Sequence, residues 1–314
     1  MSLLKRALSR FSENVKDDGL TGVKLTAYDY YVGALMMSGL YSRVDSTNVF
    51  EEEWDVLVLL DCARPEFISE VEDEYEFLES GASESTLVSV GSSSEHWLEN
   101  TFVDTYADEI SETAYVTANP NSERTVSSSQ FALLDEVWRD EWDPDLQTIP
   151  AEAVTDRAIE AARENDFDRL ILHYMQPHPP FVPDMDIDAM RVTPPDKEEA
   201  GSNMRDLVLK DGYEPSTLWD AHVENLRYVL DSLEVLLRSL DADSVIISAD
   251  HGQAFGSWGL YGHPSRVPLP ALYTVPWVEV SATDTGEYVP DPERRATQRD
   301  EDLDSKLEAL GYRT

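Results

Sequence analysis

The sequence predicts an α/β protein in which a mostly parallel central sheet is flanked by helices. Short runs rich in apolar and β-branched residues indicate buried strands at residues 54–61, 113–119, 168–175 and 243–250, with a fifth strand at 276–280. Helical patterns accompany them at residues 66–78, 96–106, 131–142, 151–164 and 216–240. This alternation favours a parallel sheet, because each connection between parallel strands has to cross over.

The remaining segments divide the chain into a main domain and two extensions. Residues 1–50 form a predicted N-terminal helical extension, residues 51–280 the main domain, and residues 281–314 a polar, acidic C-terminal tail. Within the main domain, residues 183–215 lack periodicity and are rich in Pro and Asp, which predicts a long loop or lid.

The charge of the chain is strongly negative. Its 314 residues include 63 acidic and 24 basic side chains, a formal net charge of −39. Nucleic acid is excluded as a partner, because binding to phosphates needs a basic face. The acids run through the whole length and lysine is scarce, which is typical of cytoplasmic proteins of halophiles that accumulate salt. We therefore expect a cytoplasmic, salt-dependent protein, and its oligomeric state stays open.

Apolar segments and the cysteine count narrow the class of protein further. The most apolar early segment, residues 27–40, is too short and interrupted to span a bilayer, and no apolar core of a secretory signal follows the basic N-terminus. A weak peripheral contact between the first helix and a membrane stays open. Cys62 is the single cysteine, which excludes a disulfide framework and a zinc site of cysteines alone.

Acidic residues and histidines gather where the predicted strands end. In α/β sheets, ligands bind beyond the carboxyl ends of the strands. The residues at these ends are Asp61, His173, His178, Asp250, His251 and, shortly afterwards, His263. Mixed Asp and His donors suit a divalent ion such as Mn, Mg or Zn. His96 and His222 fall inside predicted helices, where a structural role is expected.

Three of these segments resemble motifs of the alkaline phosphatase superfamily, which includes the sulfatases. LLDCARPEF, residues 59–67, is similar to the opening motif of sulfatases, and SADHG, residues 248–252, to the superfamily's metal-binding motif. HYMQPHPPF, residues 173–181, resembles the segment whose histidine approaches the sulfate or phosphate of the substrate. The motifs follow the family's order over roughly residues 52–280. The resemblance implies an alkaline-phosphatase-like fold and a metal-dependent hydrolase or transferase acting on a phosphate or sulfate ester.

The resemblance also implies a metal site. Asp61, Asp250 and His251 match the metal ligands of the family. His263 matches a position that faces either the metal or the leaving group, so it is a candidate for both metal binding and catalysis. The expected cofactor is one divalent ion, Mn, Zn, Mg or Ca, and a second ion stays open.

Substrate contacts follow from the same comparison. His178 matches the histidine that contacts the transferred oxyanion, which makes it a catalytic candidate. His173 and Arg64 are candidates for substrate binding, and a structural role is the alternative for Arg64. The expected substrate is a small anionic ester or a glycan-linked one.

The required nucleophile is predicted in the segment GSSSEHW, residues 91–97. Its serines, Ser92, Ser93 and Ser94, precede an apolar helix, where helix N–H groups and a cation would stabilise an alkoxide. Spacing against the family's motif favours Ser94, then Ser93, although one of the three could simply cap the helix. No CxPSR motif is present, so we expect a plain serine rather than formylglycine.

An alternative function of a different class stays open. The chain could be a non-catalytic scaffold of the same fold that binds a glycan or a protein partner. Cys62 supports this alternative, because it stands where sulfatases have a second metal-binding aspartate.

Overall fold

Alternating strands and helices make up the part of the chain that the computed structural model describes, residues 3–183 and 203–290, with side chains from residue 19. The strands are β1 Val56–Leu60, β2 Thr86–Val88, β3 Thr113–Thr117, β4 Leu133–Glu136, β5 Arg169–Tyr174, β6 Ala242–Ser248, β7 Ala254–Phe255, β8 Tyr261–Gly262, β9 Thr274–Pro276 and β10 Val278–Ala282. The α-helices are α1 Leu3–Met37, α2 Pro65–Val71, α3 Ser94–Thr101, α4 Ala107–Ser111, α5 Ser122–Thr125, α6 Ala151–Glu164, α7 Met204–Leu209, α8 Pro215–Leu237 and α9 Pro270–Tyr273. Short 3₁₀ turns occupy Leu40–Arg43, Val49–Glu51, Glu72–Glu74, Ala82–Glu84, Asp104–Tyr106, Ser128–Gln130, Val137–Arg139 and Ser257–Gly259.

The main sheet has the strand order β10-β6-β1-β5-β3-β4. All neighbouring pairs are parallel except β10 and β6, which run antiparallel at one edge. Leu60 pairs with Tyr174 and Leu59 with Ser248, so β1, β5 and β6 end together. The predicted fold class, a mostly parallel sheet flanked by helices, is confirmed. Residues that follow these three strands are thereby brought to one edge of the sheet.

Both faces of the sheet are covered, which explains the uninterrupted apolar runs in its strands. On one face, Val58 and Leu60 belong to a buried cluster with residues of α2, α6 and α8. On the other, Leu57 and Leu59 pack in a second cluster with Trp97 of α3. Successive residues of β1 therefore point to opposite layers, as strand geometry requires.

Helix α1 packs beside the loops that follow β6. Gly19 has a non-helical backbone (φ 57°, ψ −123°) and divides α1 into two helical halves. In the second half, one face packs against a buried cluster that contains Leu269 and Leu272; the contributing side chains are Tyr28, Val32, Leu35 and Met36. Among the described residues, no helix combines the length and the apolarity needed to cross a bilayer.

Some predicted elements differ from the observed ones. The helix predicted at 131–142 is in fact edge strand β4, followed by the 3₁₀ turn Val137–Arg139. A short apolar run does not distinguish the two periodicities, and pairing with β3 decides the outcome. The helix predicted at 66–78 ends at Val71 and continues as a 3₁₀ turn.

The predicted segment boundaries also shift. The boundary after residue 280 falls inside β10, and Asp284 beyond it forms an ion pair of 3.1 Å with Arg163 of α6. The main domain therefore extends past residue 282. Of the predicted lid at 183–215, residues 184–202 lie outside the described residues, and the described remainder includes α7, which packs against α1 and β8. Residues 291–314 of the predicted tail also lie outside the described residues.

Candidate active site

Two aspartates and a histidine meet at the carboxyl edge of the sheet. Asp61 follows β1, and Asp250 and His251 follow β6. One ligand atom from each lies within 4.8 Å of the others, and all three residues are buried. Within the described part of the chain, these three are the Asp, Glu, His or Cys residues whose ligand atoms lie close enough together to hold a metal ion. The sequence predicted all three as ligands.

The backbone sets the direction of Asp250. Its Oδ1 accepts hydrogen bonds from the amides of Cys62 (3.3 Å) and His251 (2.9 Å). Cys62 adopts a positive φ of 60°, an uncommon value for a residue with a side chain, where the chain turns after β1. With Oδ1 engaged, Oδ2 of Asp250 faces the other two residues. Gly252 permits the next turn, because a Cβ there would collide with the carbonyl of Ala271.

The tautomer of His251 explains why a cation fits this group. Its Nδ1 lies 2.9 Å from the carbonyl oxygen of Gly252 and donates to it, which leaves a lone pair on Nε2. That Nε2 lies 3.5 Å from Asp61 Oδ1 and 3.4 Å from Asp250 Oδ2, and both oxygens are buried without a hydrogen-bond donor. Three electron-pair donors thus converge, and neither of the two oxygens accepts a hydrogen bond. A divalent ion would satisfy all three, and their O, O, N chemistry suits Zn or Mn.

Burial makes the group electrostatically costly without a cation. Burial, and then the charge of Asp250, raises the pKa of Asp61 well above its ordinary value of 3.8. Burial also lowers the pKa of His251, so the imidazole does not supply a compensating positive charge at neutral pH. The negative charge of the two carboxylates is therefore left to an external cation.

Ser94 is the serine that reaches this group. It is the first residue of α3, and its Oγ lies 3.3 Å from both Asp61 Oδ2 and His251 Nε2. Ser93 caps the helix by accepting a hydrogen bond from the amide of His96. Ser92 instead accepts from the amide of Arg266 at 2.8 Å. The order of preference predicted from sequence, with Ser94 first, agrees with this geometry.

The turn that presents Ser94 is tightly packed. A Cβ at Gly91 would overlap the backbone of Trp97, so glycine is required where the loop crosses the start of α3. Trp97 itself is buried against the sheet. The serine is therefore held by a helix whose position the core determines.

Two partly exposed histidines stand beside the buried group. His178 Nε2 and His263 Nε2 are 3.1 Å apart, and the ring of His263 stacks on that of His251 at 4.5 Å. His178 Nδ1 donates to the carbonyl of Pro179 at 2.6 Å, so the shared proton resides on His263 Nε2. Burial lowers the pKa of His178 to about 4 and that of His263 well below its ordinary value. His263, predicted as a metal ligand and a catalytic residue, thus lies next to the ligand group and pairs with His178.

His173 and Arg64 are both engaged by other groups of the protein. His173 is fully buried beneath Asp250, with Nε2 3.5 Å from Asp250 Oδ2 and Nδ1 2.9 Å from the hydroxyl of Tyr115. This location corrects the substrate-binding prediction for His173, because the residue belongs to a strand and points into a layer. Arg64 binds Glu66 with two nitrogens and the carbonyl of Gln253 with a third, which corresponds to the structural alternative.

Sequence reasoning missed the groups that support the site. The amide of Asn119 donates to Asp61 Oδ2 at 3.1 Å, and Tyr115 contacts His173. Asn225 of α8 donates to the carbonyls of Pro177 and His178 and so holds the loop of His178. Asn119 comes just after β3, so the strand-end rule that found Asp61 would have found it too. No sequence signal marks Asn225.

His96 and His222 have the structural roles that the sequence predicted. His96 Nδ1 accepts from the amide of Ser92 at 3.3 Å. His222 Nδ1 donates to the carbonyl of Leu218, and its Nε2 lies 3.3 Å from the amide nitrogen of Gln253. Burial lowers the pKa of both, to about 4 for His96 and about 3 for His222, so both are neutral packing residues.

Fold and site together define an α/β protein with a serine, two aspartates and a histidine at the carboxyl edge of its sheet. No family profile and no curated protein sequence matches the chain. Solved structures that it resembles include the soluble domain of lipooligosaccharide phosphoethanolamine transferase A from Neisseria meningitidis, at 15% identity and a TM-score of 0.49, with 81% of this chain and 86% of that one covered. A second is the C-terminal periplasmic domain of phosphoethanolamine transferase EptC from Campylobacter jejuni (15% identity, 72% and 78% covered, TM-score 0.46). A third is a protein in the alkaline phosphatase superfamily from Vibrio parahaemolyticus, at 11% identity and a TM-score of 0.40, with 82% of this chain and 70% of that one covered.

Proposed function

We propose that the protein is a metal-dependent hydrolase or transferase that acts on a phosphate ester with Ser94 as its nucleophile. The observation that carries the proposal is the position of Ser94 Oγ, 3.3 Å from an aspartate and a histidine whose free ligand atoms converge. A bound divalent ion would supply positive charge that stabilises the serine alkoxide and the oxygens of the transferred group.

The two oxygens of Asp61 have separate tasks in this mechanism. Oδ1 faces the ligand group without a hydrogen bond, whereas Oδ2 accepts from Ser94 and from Asn119. The hydroxyl proton of Ser94 can therefore pass to Oδ2 as the serine attacks phosphorus in line with the leaving oxygen. Asn119 keeps Oδ2 turned toward the serine throughout.

The histidine pair acts on the leaving group in this mechanism. His178 and His263 are partly exposed, and the proton between them lies on His263 Nε2. An ester oxygen that displaces His178 from this bond would accept a hydrogen bond from His263 Nε2, which stabilises the negative charge on the leaving oxygen until water protonates it.

Paired serine variants test the proposal. We expect purified protein to hydrolyse p-nitrophenyl phosphate in the presence of Mn or Zn, and Ser94→Ala to lower kcat about a thousandfold or more. Metal content, measured by elemental analysis, should stay unchanged in this variant. Ser93→Ala is the matched control: it loses the helix cap, at about 1 kcal/mol of stability, but keeps its activity.

Three results would redirect the proposal. Full activity of Ser94→Ala would exclude this serine as the nucleophile. Faster hydrolysis of p-nitrophenyl sulfate than of the phosphate would assign the site to sulfate esters. Protein that binds metal but hydrolyses neither ester would support the non-catalytic scaffold.

A further inference from the structure

Exposed apolar side chains are concentrated in one region of the described chain. Of the eight large hydrophobic side chains that are exposed there, six belong to α1 and the turn after it, and a seventh is Trp258. They are Leu20, Val23, Tyr30, Tyr31, Met37, Leu40 and Trp258, with exposures from 37% to 89%. Val289 is the exception and lies elsewhere in sequence, after β10. Such clustering marks an interaction surface more often than scattered single residues do.

The exposed residues of α1 share one face of the helix. Leu20, Val23, Ala27, Tyr30, Tyr31, Ala34 and Met37 are all exposed, and at about 100° per residue they fall within an arc of roughly 120°. We call this set the outer face. The opposite face, with Val32 and Leu35, packs against the protein. The helix is therefore apolar on both sides, and one of them has no covering among the described residues.

The same segment departs from the charge of the rest of the chain. Residues 1–37 contain five basic and four acidic side chains, whereas the other 277 residues contain 19 basic and 59 acidic ones. Three of the chain's six lysines lie in this segment, among them Lys24, which is exposed beside the outer face. With a net charge of +1, against −40 for the other residues, this segment is the part of the chain that a surface of phosphate groups repels least.

Hydrogen bonds connect α1 to the active-site loop. The hydroxyl of Tyr31 donates to the carbonyl of Trp258 at 3.2 Å, and that of Tyr28 bonds both the carbonyl and the amide of Tyr261 at 3.0 Å. Trp258 and Tyr261 lie between His251 and His263 in the chain. The outer face is consequently attached to the loop that carries two histidines of the site.

We propose that the outer face and Trp258 dock the protein on the surface of a phospholipid membrane. Tyrosine and tryptophan place apolar rings and polar tips where a bilayer changes from acyl chains to headgroups. Basic residues in the same segment are complementary to the lipid phosphates. A second copy of the chain fits less well, because a twofold contact would bring together two bodies that each carry 59 acidic and only 19 basic side chains.

Vesicle flotation tests the docking with full-length protein in molar KCl, where long-range repulsion is screened. The probe is unilamellar vesicles of phosphatidylcholine mixed with phosphatidylglycerol. We expect wild-type protein to float with the vesicles, and the triple variant Leu20→Ser, Tyr30→Ser, Met37→Ser to bind at least about tenfold more weakly. Val289→Ser, which removes an exposed apolar residue away from the outer face, is the matched control and should bind like wild type.

Catalysis and docking are separated by one further variant. Ser94→Ala should float as wild type does, so failure of the proposed function leaves this test intact. The melting temperature of the triple variant shows whether a loss of binding comes from loss of fold. Wild-type protein that stays unbound, or a triple variant that binds equally well, would overturn the proposal. The proposal would also be overturned if light scattering showed a wild-type dimer that the triple variant does not form, and if neither protein bound to vesicles.

Discussion

Replacing Asp61 by asparagine is expected to stabilise the metal-free protein and to abolish its stabilisation by metal. Without a cation, Asp61 Oδ1 and Asp250 Oδ2 face each other unpaired in a buried site. The amide of asparagine would remove one negative charge and offer Asp250 a hydrogen-bond donor in its place. Its oxygen would still accept from Ser94 and Asn119, as Asp61 Oδ2 does now.

The size of this effect follows from the separation of the charges. Ligand atoms no more than 4.8 Å apart repel by about 3.5 kcal/mol or more at an effective dielectric constant of about 20. Asp61 avoids part of this cost by binding a proton, because its pKa is raised. We therefore expect a gain of about 1–3 kcal/mol in the free energy of unfolding, which raises Tm by about 2–10 °C in a domain of this size.

The pH dependence has a definite sign. Below the ordinary pKa of 3.8, Asp61 is protonated in both the folded and the unfolded state, so the variant has no advantage. As the pH rises, the unfolded aspartate ionises first, and the native state loses stability until its own Asp61 has ionised. The advantage of Asp61→Asn should therefore grow from acidic to neutral pH.

Melting curves with and without metal provide the assay. In EDTA at pH 7, Asp61→Asn should melt above wild type. At a metal concentration of about 1,000 times Kd, wild type gains about 4.1 kcal/mol, which exceeds the variant's advantage, and the order reverses. Asp135→Asn is the control, since Asp135 is the ion-pair partner of Arg157 and its neutralisation should lower Tm in both conditions. An Asp61→Asn protein that melts below wild type in EDTA would refute the like-charge argument.

Three further predictions concern the support of the site, the cysteine and the charge. His173→Gln should weaken metal affinity about 10–100-fold while the protein stays folded, and Tyr115→Phe should weaken it less, because these residues orient Asp250 from below. Isothermal titration measures the affinity, and an unchanged value would contradict that role. Cys62 should resist iodoacetamide until the protein unfolds and should have an unmodified mass, because burial raises its thiol pKa well above the ordinary 9.0; labelling of native protein would contradict it. Tm should rise steeply between low and molar KCl, as screening shortens the reach of charge repulsion from about 30 Å to about 3 Å; a flat profile would exclude salt dependence.

The position of the ligand group was predictable because it depends on topology. Parallel neighbouring strands end at one edge, so residues that follow β1 and β6 must meet whatever the loops do. Asp61, Asp250 and His251 are such residues. The serine cluster was predictable for a related reason: it lies at the start of a helix whose apolar residue Trp97 has to be buried against the same sheet. The preference for Ser94 within the cluster came from the resemblance to the family's motif.

The role of His173 could not be predicted by the same rule. His173 lies inside β5, and a residue within a strand points into one of the layers rather than over the edge. His178, four residues past the end of the strand, has left the sheet and reaches the mouth of the site. The predicted strand, residues 168–175, already contained His173, so the error was to count this residue among those beyond the strand end. Asn225 is a different case, since it reaches the site from the middle of α8 through a contact 47 residues away in sequence.

Two kinds of negative charge coexist in this protein, and solvent ions act on them differently. Surface acids interact through water, so dissolved KCl weakens their repulsion. Asp61 and Asp250 have no exposed surface, and a screening atmosphere cannot enter between them. Molar salt should therefore raise Tm of wild type and of Asp61→Asn alike, and leave the difference between them in EDTA nearly constant. A divalent ion bound at the ligand group acts only on the buried pair, so it should reverse the order of wild type and Asp61→Asn at low and at molar salt alike. We therefore expect any salt dependence to arise from the surface as a whole, and any metal dependence from the few atoms around Ser94.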